Sequence, residues 1–138
     1  MMKSTFLFLF FFSFIYLQMI NVQTCSEFKG MIAGNTTIIY NITQNISCST
    51  EIVEAIGAGD NSFKGKILGN SFTISDLIIY STLSGHIGIF ASGNGCNVSN
   101  LNLNRITIQS TGKSYSGSLF GYCTNCNSFL FHLSSFYL

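Results

Sequence analysis

The feature that most constrains this chain is a short stretch that occurs twice. Residues 69–79 read GNSFTISDLII, and residues 93–103, an offset of 24 later, read GNGCNVSNLNL. Gly69/Gly93, Asn70/Asn94, Ser75/Ser99 and Leu77/Leu101 are identical; Ile74/Val98 and Ile79/Leu103 agree in kind, and Asp76/Asn100 are near-isosteres. The β-branched residues, the polar residues between them and the leading Gly describe a strand rather than a helical stripe. A second match runs at an offset of 30, with Ile89-Phe90-Ala91 and Cys96-Asn97 lying over Leu119-Phe120-Gly121 and Cys126-Asn127. The extra length falls in residues 110–117 (STGKSYSG), which have a loop composition.

Units of 24 to 30 residues that cannot bury a face alone are expected to stack. With short β segments as the unit, the expectation is an all-β chain folded as a parallel β-helix of two to three coils, each adding a rung of about 4.8 Å. At the first offset Ile74 lies on Val98, Leu77 on Leu101 and Ile79 on Leu103; at the second, Phe90 lies on Phe120. Asn70 over Asn94 is expected to form an amide ladder at a turn.

Residues 63–77 (FKGKILGNSFTISDL), followed by Gly88-Ile89-Phe90 and by Ser116-Gly117-Ser118-Leu119-Phe120-Gly121, resemble the GLUG-type repeat of right-handed β-helix surface proteins. The resemblance spans about residues 63–126. It implies a right-handed coil and an extracellular, adhesin-like role, and it brings no catalytic residues with it.

The organisation read from this is a signal peptide over 1–26, an N-terminal cap over 27–62, β-helix repeats over 63–128 and an apolar tail over 129–138 that forms an incomplete coil. Lys3 precedes an apolar run over residues 6–17, the length of a signal core and short of the roughly 20 residues of a spanning helix. Cleavage fits before Cys25 or, by preference, before Glu27. An uncleaved anchor over residues 6–22 is the rival, and it is the only route to a membrane. In the cap, residues 36–42 are strand-like and residues 50–56 are expected to form a short helix, with Ser49 or Thr50 before it and Gly57 after it. The decayed third copy makes the chain read as the start of a longer protein, or as a truncated copy of one.

Asn35, Asn41, Asn45 and Asn97 stand in Asn-X-Ser/Thr sequons, which require a surface position if glycosylated. Cleavage before Glu27 leaves Cys48, Cys96, Cys123 and Cys126 as disulfide candidates, an even number suited to an oxidising compartment. An offset of 30 places Cys96 against Cys126, with Cys123–Cys126 as the rival pairing.

Other chemistry has little to stand on. Charged residues are 8% of the chain and hydrophobic residues 47%, which excludes both a disordered tail and a basic nucleic-acid binder. Beyond residue 26 five cations (Lys29, Lys64, Lys66, Arg105, Lys113) balance five anions (Glu27, Glu51, Glu54, Asp60, Asp76). Asp60 and Asp76 are too far apart for a paired-carboxylate site, and Glu51/Glu54 read as one solvated helix face. His86 and His132 do not complete a zinc set around the lone CxxC of residues 123–126. Gly57-Ala58-Gly59-Asp60 lacks the Gly and Lys of a phosphate loop. The sequence therefore predicts no catalytic residue, cofactor or metal. It predicts a secreted or cell-surface structural and adhesive module whose partners are surface glycans or proteins. A fragment without independent function and a polysaccharide-processing enzyme are the alternatives.

Overall fold

The computed structural model describes residues 17–31, 37–49, 52–58, 61–81, 85–112, 114–129, 132–134 and 136–137. The first described elements are a strand, Gln18–Val22 (β1), and a single helical turn, Cys25–Lys29 (α1). Short strands follow: Ile38–Ile42 (β2), Ile46–Ser47 (β3), Ile52–Glu54 (β4) and Lys66–Leu68 (β5). Next come Thr73–Ser81 (β6), Gly85–Ile87 (β7), Phe90–Asn94 (β8), Asn97–Ser99 (β9) and Asn102–Ser110 (β10). Ser114–Ser116 (β11), Phe120–Thr124 (β12), Asn127–Phe129 (β13), His132–Leu133 (β14) and Phe136–Tyr137 (β15) complete the order.

The fold is all-β, and every strand pairing is parallel. A five-stranded sheet runs β1-β2-β5-β9-β13. A second runs β14-β10-β6-β3, with β15 also on β10 and β4 also on β6. Two-stranded pairs, β11-β7 and β12-β8, make up the rest. Among the described residues only β1 pairs with the next strand in sequence, β2, and α1 lies between them, because a parallel partner needs an intervening crossover.

The register corrects one of the two sequence alignments. Ile74 lies on Leu103, Leu77 on Ile106 and Ile79 on Ile108, while Val98 lies on Ile67. The match at 24 thus relates β6 to β9, which belong to different sheets. Both begin after a Gly/Asn turn and alternate apolar with polar residues, so they share a pattern without sharing a register. The match at 30 is the one that stacks: Phe90 is in register with Phe120 and Asn97 with Asn127.

Inward-facing positions form one continuous core. Ile67, Ile74, Leu77, Ile79, Leu101, Leu103 and Ile106 are completely buried. Each such side chain contributes about 1.5–3 kcal/mol. Tyr40, Phe63, Phe90 and Phe120 add an aromatic column, with ring centroids 6.2, 4.4 and 5.3 Å apart in that order.

One further expectation is corrected here. Residues 52–56 are not helical: Ile52, Val53 and Glu54 lie on Ile78, Ile79 and Tyr80, and Ile56 bridges to Phe90. The β-branched pair Ile52-Val53 alternates exposed with buried, and Gly57 makes the turn at φ 75°. Thr50 and Glu51 lie outside the described residues. At the N-terminus, the proposed signal segment overlaps the folded part. Residues 1–16 lie outside the described residues, but β1 pairs with β2 over five positions and Val22 is completely buried. Thr24 caps α1, its Oγ1 accepting from the Glu27 N–H at 3.2 Å, while the Glu27 carboxylate accepts from the N–H groups of Gln23 and Thr24. A boundary before Glu27 cuts through this cap and removes β1. Gln18 and Asn21 mark the end of an apolar run in the sequence; in the structure both are exposed positions of a strand. Among the described residues no helix is long and apolar enough to cross a membrane.

Candidate functional site

The chemistry of the chain concentrates at one stacked corner. Between β8 and β9 the backbone turns at Gly95 (φ 67°); between β12 and β13 it turns the same way at Asn125 (φ 54°). The Gly95 N–H donates to the Thr124 carbonyl and the Asn127 N–H to the Cys96 carbonyl, at 2.9 and 3.0 Å. Two like turns held one above the other bring Cys126 over Cys96, and their Sγ atoms lie 2.7 Å apart. Cys126 is disulfide-bonded to Cys123, and Cys96 is a buried free thiol.

Room for three sulfurs comes from Gly93, which is in register with Cys123. A Cβ at Gly93 would lie 2.8 Å from Cys126 Sγ and 3.0 Å from Cys96 Sγ. The Sγ atoms of Cys96, Cys123 and Cys126 all fall within 4.8 Å of one another. Burial pushes the Cys96 thiol up to about 11, since a thiolate there would lose its hydration. The stacked contact expected from the offset of 30 is therefore present, and the covalent bond is the rival pairing. With two of the three sulfurs in a disulfide, one thiolate donor remains for a metal ion.

The second disulfide joins Cys25 to Cys48, with Cα atoms 5.2 Å apart. The sequence reading left Cys25 out by assigning it to the removed segment. The odd cysteine count of the full chain was the available signal, because five thiols leave one over when paired.

The outer polar residues form a second set. Asn41 donates its amide to Asn21 Oδ1 at 2.9 Å, and Asn70 donates to Asn41 Oδ1 and the Ile42 carbonyl, both at 2.8 Å. This ladder replaces the expected pair of Asn70 with Asn94, which is exposed and in register with Thr124. Of the sequon residues, Asn45 is exposed and accepts from the Thr73 N–H, Asn97 is half-buried in β9, and Asn35 lies outside the described residues. Asn41 is the one whose amide nitrogen is spent on the ladder.

Asp76 and Arg105 meet across β6 and β10 in a bidentate ion pair. Both have left-handed backbones, at φ 60° and 52°, and sit between the paired positions Ser75↔Asn104 and Leu77↔Ile106. The sequence aligned Asp76 with Asn100 and saw no partner for Arg105; the true register supplies it. Arg105 and hydroxyls of Ser75 and Ser47 hold the Asp76 carboxyl at about 2, below its ordinary 3.8. A depressed carboxylate stabilises the fold above its ordinary value, so this contribution fades as pH falls below 3.8 and is gone below about 2. The Arg105 side chain is 56% exposed, so the pair itself is worth little. Arg105→Gly relieves the left-handed strain and should leave stability within about 0.5 kcal/mol of wild type, whereas Arg105→Val should cost about 1–2 kcal/mol. Urea titration of both variants checks this.

Among the described residues the remaining candidates do not come together. His86 stacks on Tyr122 with ring centroids 4.9 Å apart, and His132 lies on β14. Glu54 is exposed on β4, while Glu51 and Asp60 lie outside the described residues. A scan against protein-family models finds no match for this chain, and searches of curated proteins and of solved structures find none either.

Proposed function

We propose that this chain is a right-handed parallel β-helix of the kind the GLUG-type repeat resembles, exported to the cell surface or the medium, where it serves as a structural and adhesive module without catalytic activity. One observation carries the reading. Parallel partners recur at offsets of 29 to 31 from β5 through β13, with apolar residues inside and Ser, Asn and Thr outside. Such a stack is a stiff spacer whose outer rows are repetitive and mostly uncharged, suited to contacting glycans or proteins over many weak hydrogen bonds. Two disulfides and the sequons at Asn41, Asn45 and Asn97 fit an oxidising, glycosylating route. Export then requires that cleavage fall before Gln18, so that β1 and Cys25 remain.

The test is expression of the full chain in a secreting eukaryotic host. The expected product is recovered from the medium or cell surface, begins upstream of Gln18, yields a Cys25–Cys48 linked peptide without reduction, and binds members of a glycan array without releasing reducing ends. Cytosolic retention with reduced cysteines overturns the export, and release of reducing ends from a polysaccharide overturns the non-catalytic role.

A further inference from the structure

We propose that Cys96, Cys123 and Cys126 form an exchange site in which the disulfide moves from Cys123–Cys126 to Cys96–Cys126, transferring the free thiol from the interior to Cys123, where it forms mixed disulfides with an external disulfide. Cys126 is central to the geometry. It is bonded to Cys123, and its Sγ lies 2.7 Å from Cys96 Sγ, so it belongs to either pairing. Only the identity of the leftover thiol changes. In one pairing that thiol is Cys96, 1% exposed; in the other it is Cys123, half-buried at the surface.

The step is an isomerisation. Cys96 loses its proton to water and its thiolate attacks Cys126 Sγ, forming the Cys96–Cys126 bond. The Cys126–Cys123 bond breaks, its electron pair leaves on Cys123 Sγ, and that thiolate is free to take up a proton. No oxidant is consumed. In a second step the Cys123 thiolate attacks an external disulfide, whose departing half leaves as a thiolate and is protonated. The product is a covalent adduct on this chain.

Three features separate this corner from a buried thiol that merely adjoins a disulfide. The attacking and accepting sulfurs come from equivalent turns, so exchange needs no change of register. The missing side chain at Gly93 leaves the space in which all three sulfurs meet. The high thiol value of Cys96 makes the attack slow, so the site holds its thiol in reserve. Among the described residues no other group of three His, Cys, Asp or Glu side chains comes together closely enough to share one metal ion.

The experiment uses the oxidised full chain with Cys25–Cys48 intact. It is incubated with oxidised glutathione under native conditions, quenched in acid and digested without reduction for mass spectrometry. The expected result is a glutathionyl adduct on Cys123 together with a Cys96–Cys126 linked peptide. Cys96→Ser and Cys96→Ala should each keep the Cys123–Cys126 bond and lose the adduct. Cys123→Ser should show Cys96–Cys126 and no adduct. A parallel arm without glutathione reads non-reducing gels for a covalent dimer, whose Cys123–Cys123 linkage marks a second copy as the source of the external sulfur. An intact Cys123–Cys126 peptide with no adduct after prolonged incubation overturns the proposal, as does an adduct that persists in both Cys96 variants. Zinc bound by all three sulfurs with no exchange after removal also overturns it.

Discussion

Phe90→Ala is expected to lower the unfolding free energy by about 3–5 kcal/mol, close to the whole stability of a small domain at the lower end of the usual 5–15 kcal/mol. Phe90 is completely buried and stacks between Phe63 at 4.4 Å and Phe120 at 5.3 Å. Its backbone is fixed as well: its N–H donates to the Leu119 carbonyl at 2.8 Å, and Ile56 bridges to it on the other side. A cavity closes when neighbouring elements can slide into it, and here the neighbours are tied strand to strand above and below. The void should therefore remain at nearly the volume of the deleted ring. Urea unfolding followed by tyrosine fluorescence, in a chain that has no tryptophan, reads the change directly. The midpoint should fall with the slope unchanged. Tyr122→Ala, at an exposed position on the next strand, should lower the unfolding free energy by about 0.5 kcal/mol or less. A Phe90→Ala cost no larger than that of Tyr122→Ala removes the aromatic column from the account of stability.

That column also explains which parts of the fold were legible in the sequence. Strand identity was readable in β6, β9 and β10, because β-branched residues alternating with Ser, Thr and Asn fit a pleated surface and little else. Register was readable only where a side chain is large or chemically distinctive. Phe90 over Phe120 and Cys96 over Cys126 marked the offset of 30 correctly, since neither pair is easily met by chance. The offset of 24 rested on Ile, Leu, Val and small polar residues, which occur in every strand of the chain, so it joined β6 to β9 across two sheets. That error hid the Asp76–Arg105 pair, whose members are 29 residues apart and match nothing in the wrong alignment. The expected helix over residues 50–56 failed for a related reason: Ile52 and Val53 gain more by lying on Ile78 and Ile79 than a short helix could return. Cys25 was lost because residues 18–26 looked like the trailing end of an apolar leader. Only its parallel partner β2 distinguishes β1 from such an end.

Gly69→Ala should be at least as damaging as the loss of a core ring, although it adds a single methyl group. Gly69 is buried at the turn between β5 and β6, and an ideal Cβ there would lie 2.3 Å from the Asn100 carbonyl oxygen and 2.5 Å from Leu101 Cα. Both are backbone atoms, so no rotamer change relieves the clash. The two turns cannot simply part. The Gly69 N–H donates to the Ser99 carbonyl and the Ser71 N–H to the Asn100 carbonyl, each at 2.7 Å. Separating them by the required amount breaks those bonds and opens the packing of Ile67 on Val98 beside them. The expected cost is about 3 kcal/mol or more. Gly95 supplies the contrast. It has a left-handed φ of 67° but nothing within 4 Å of its Cβ position, so Gly95→Ala should cost only the conformational term of about 1–2 kcal/mol. Thermal unfolding of the two variants side by side separates close approach from backbone conformation. Amide exchange should localise the Gly69→Ala damage to β5 and β9. If Gly69→Ala unfolds no earlier than Gly95→Ala, the turns of successive strands are not in van der Waals contact. The closely layered arrangement that positions the cysteine corner then loses its main physical support.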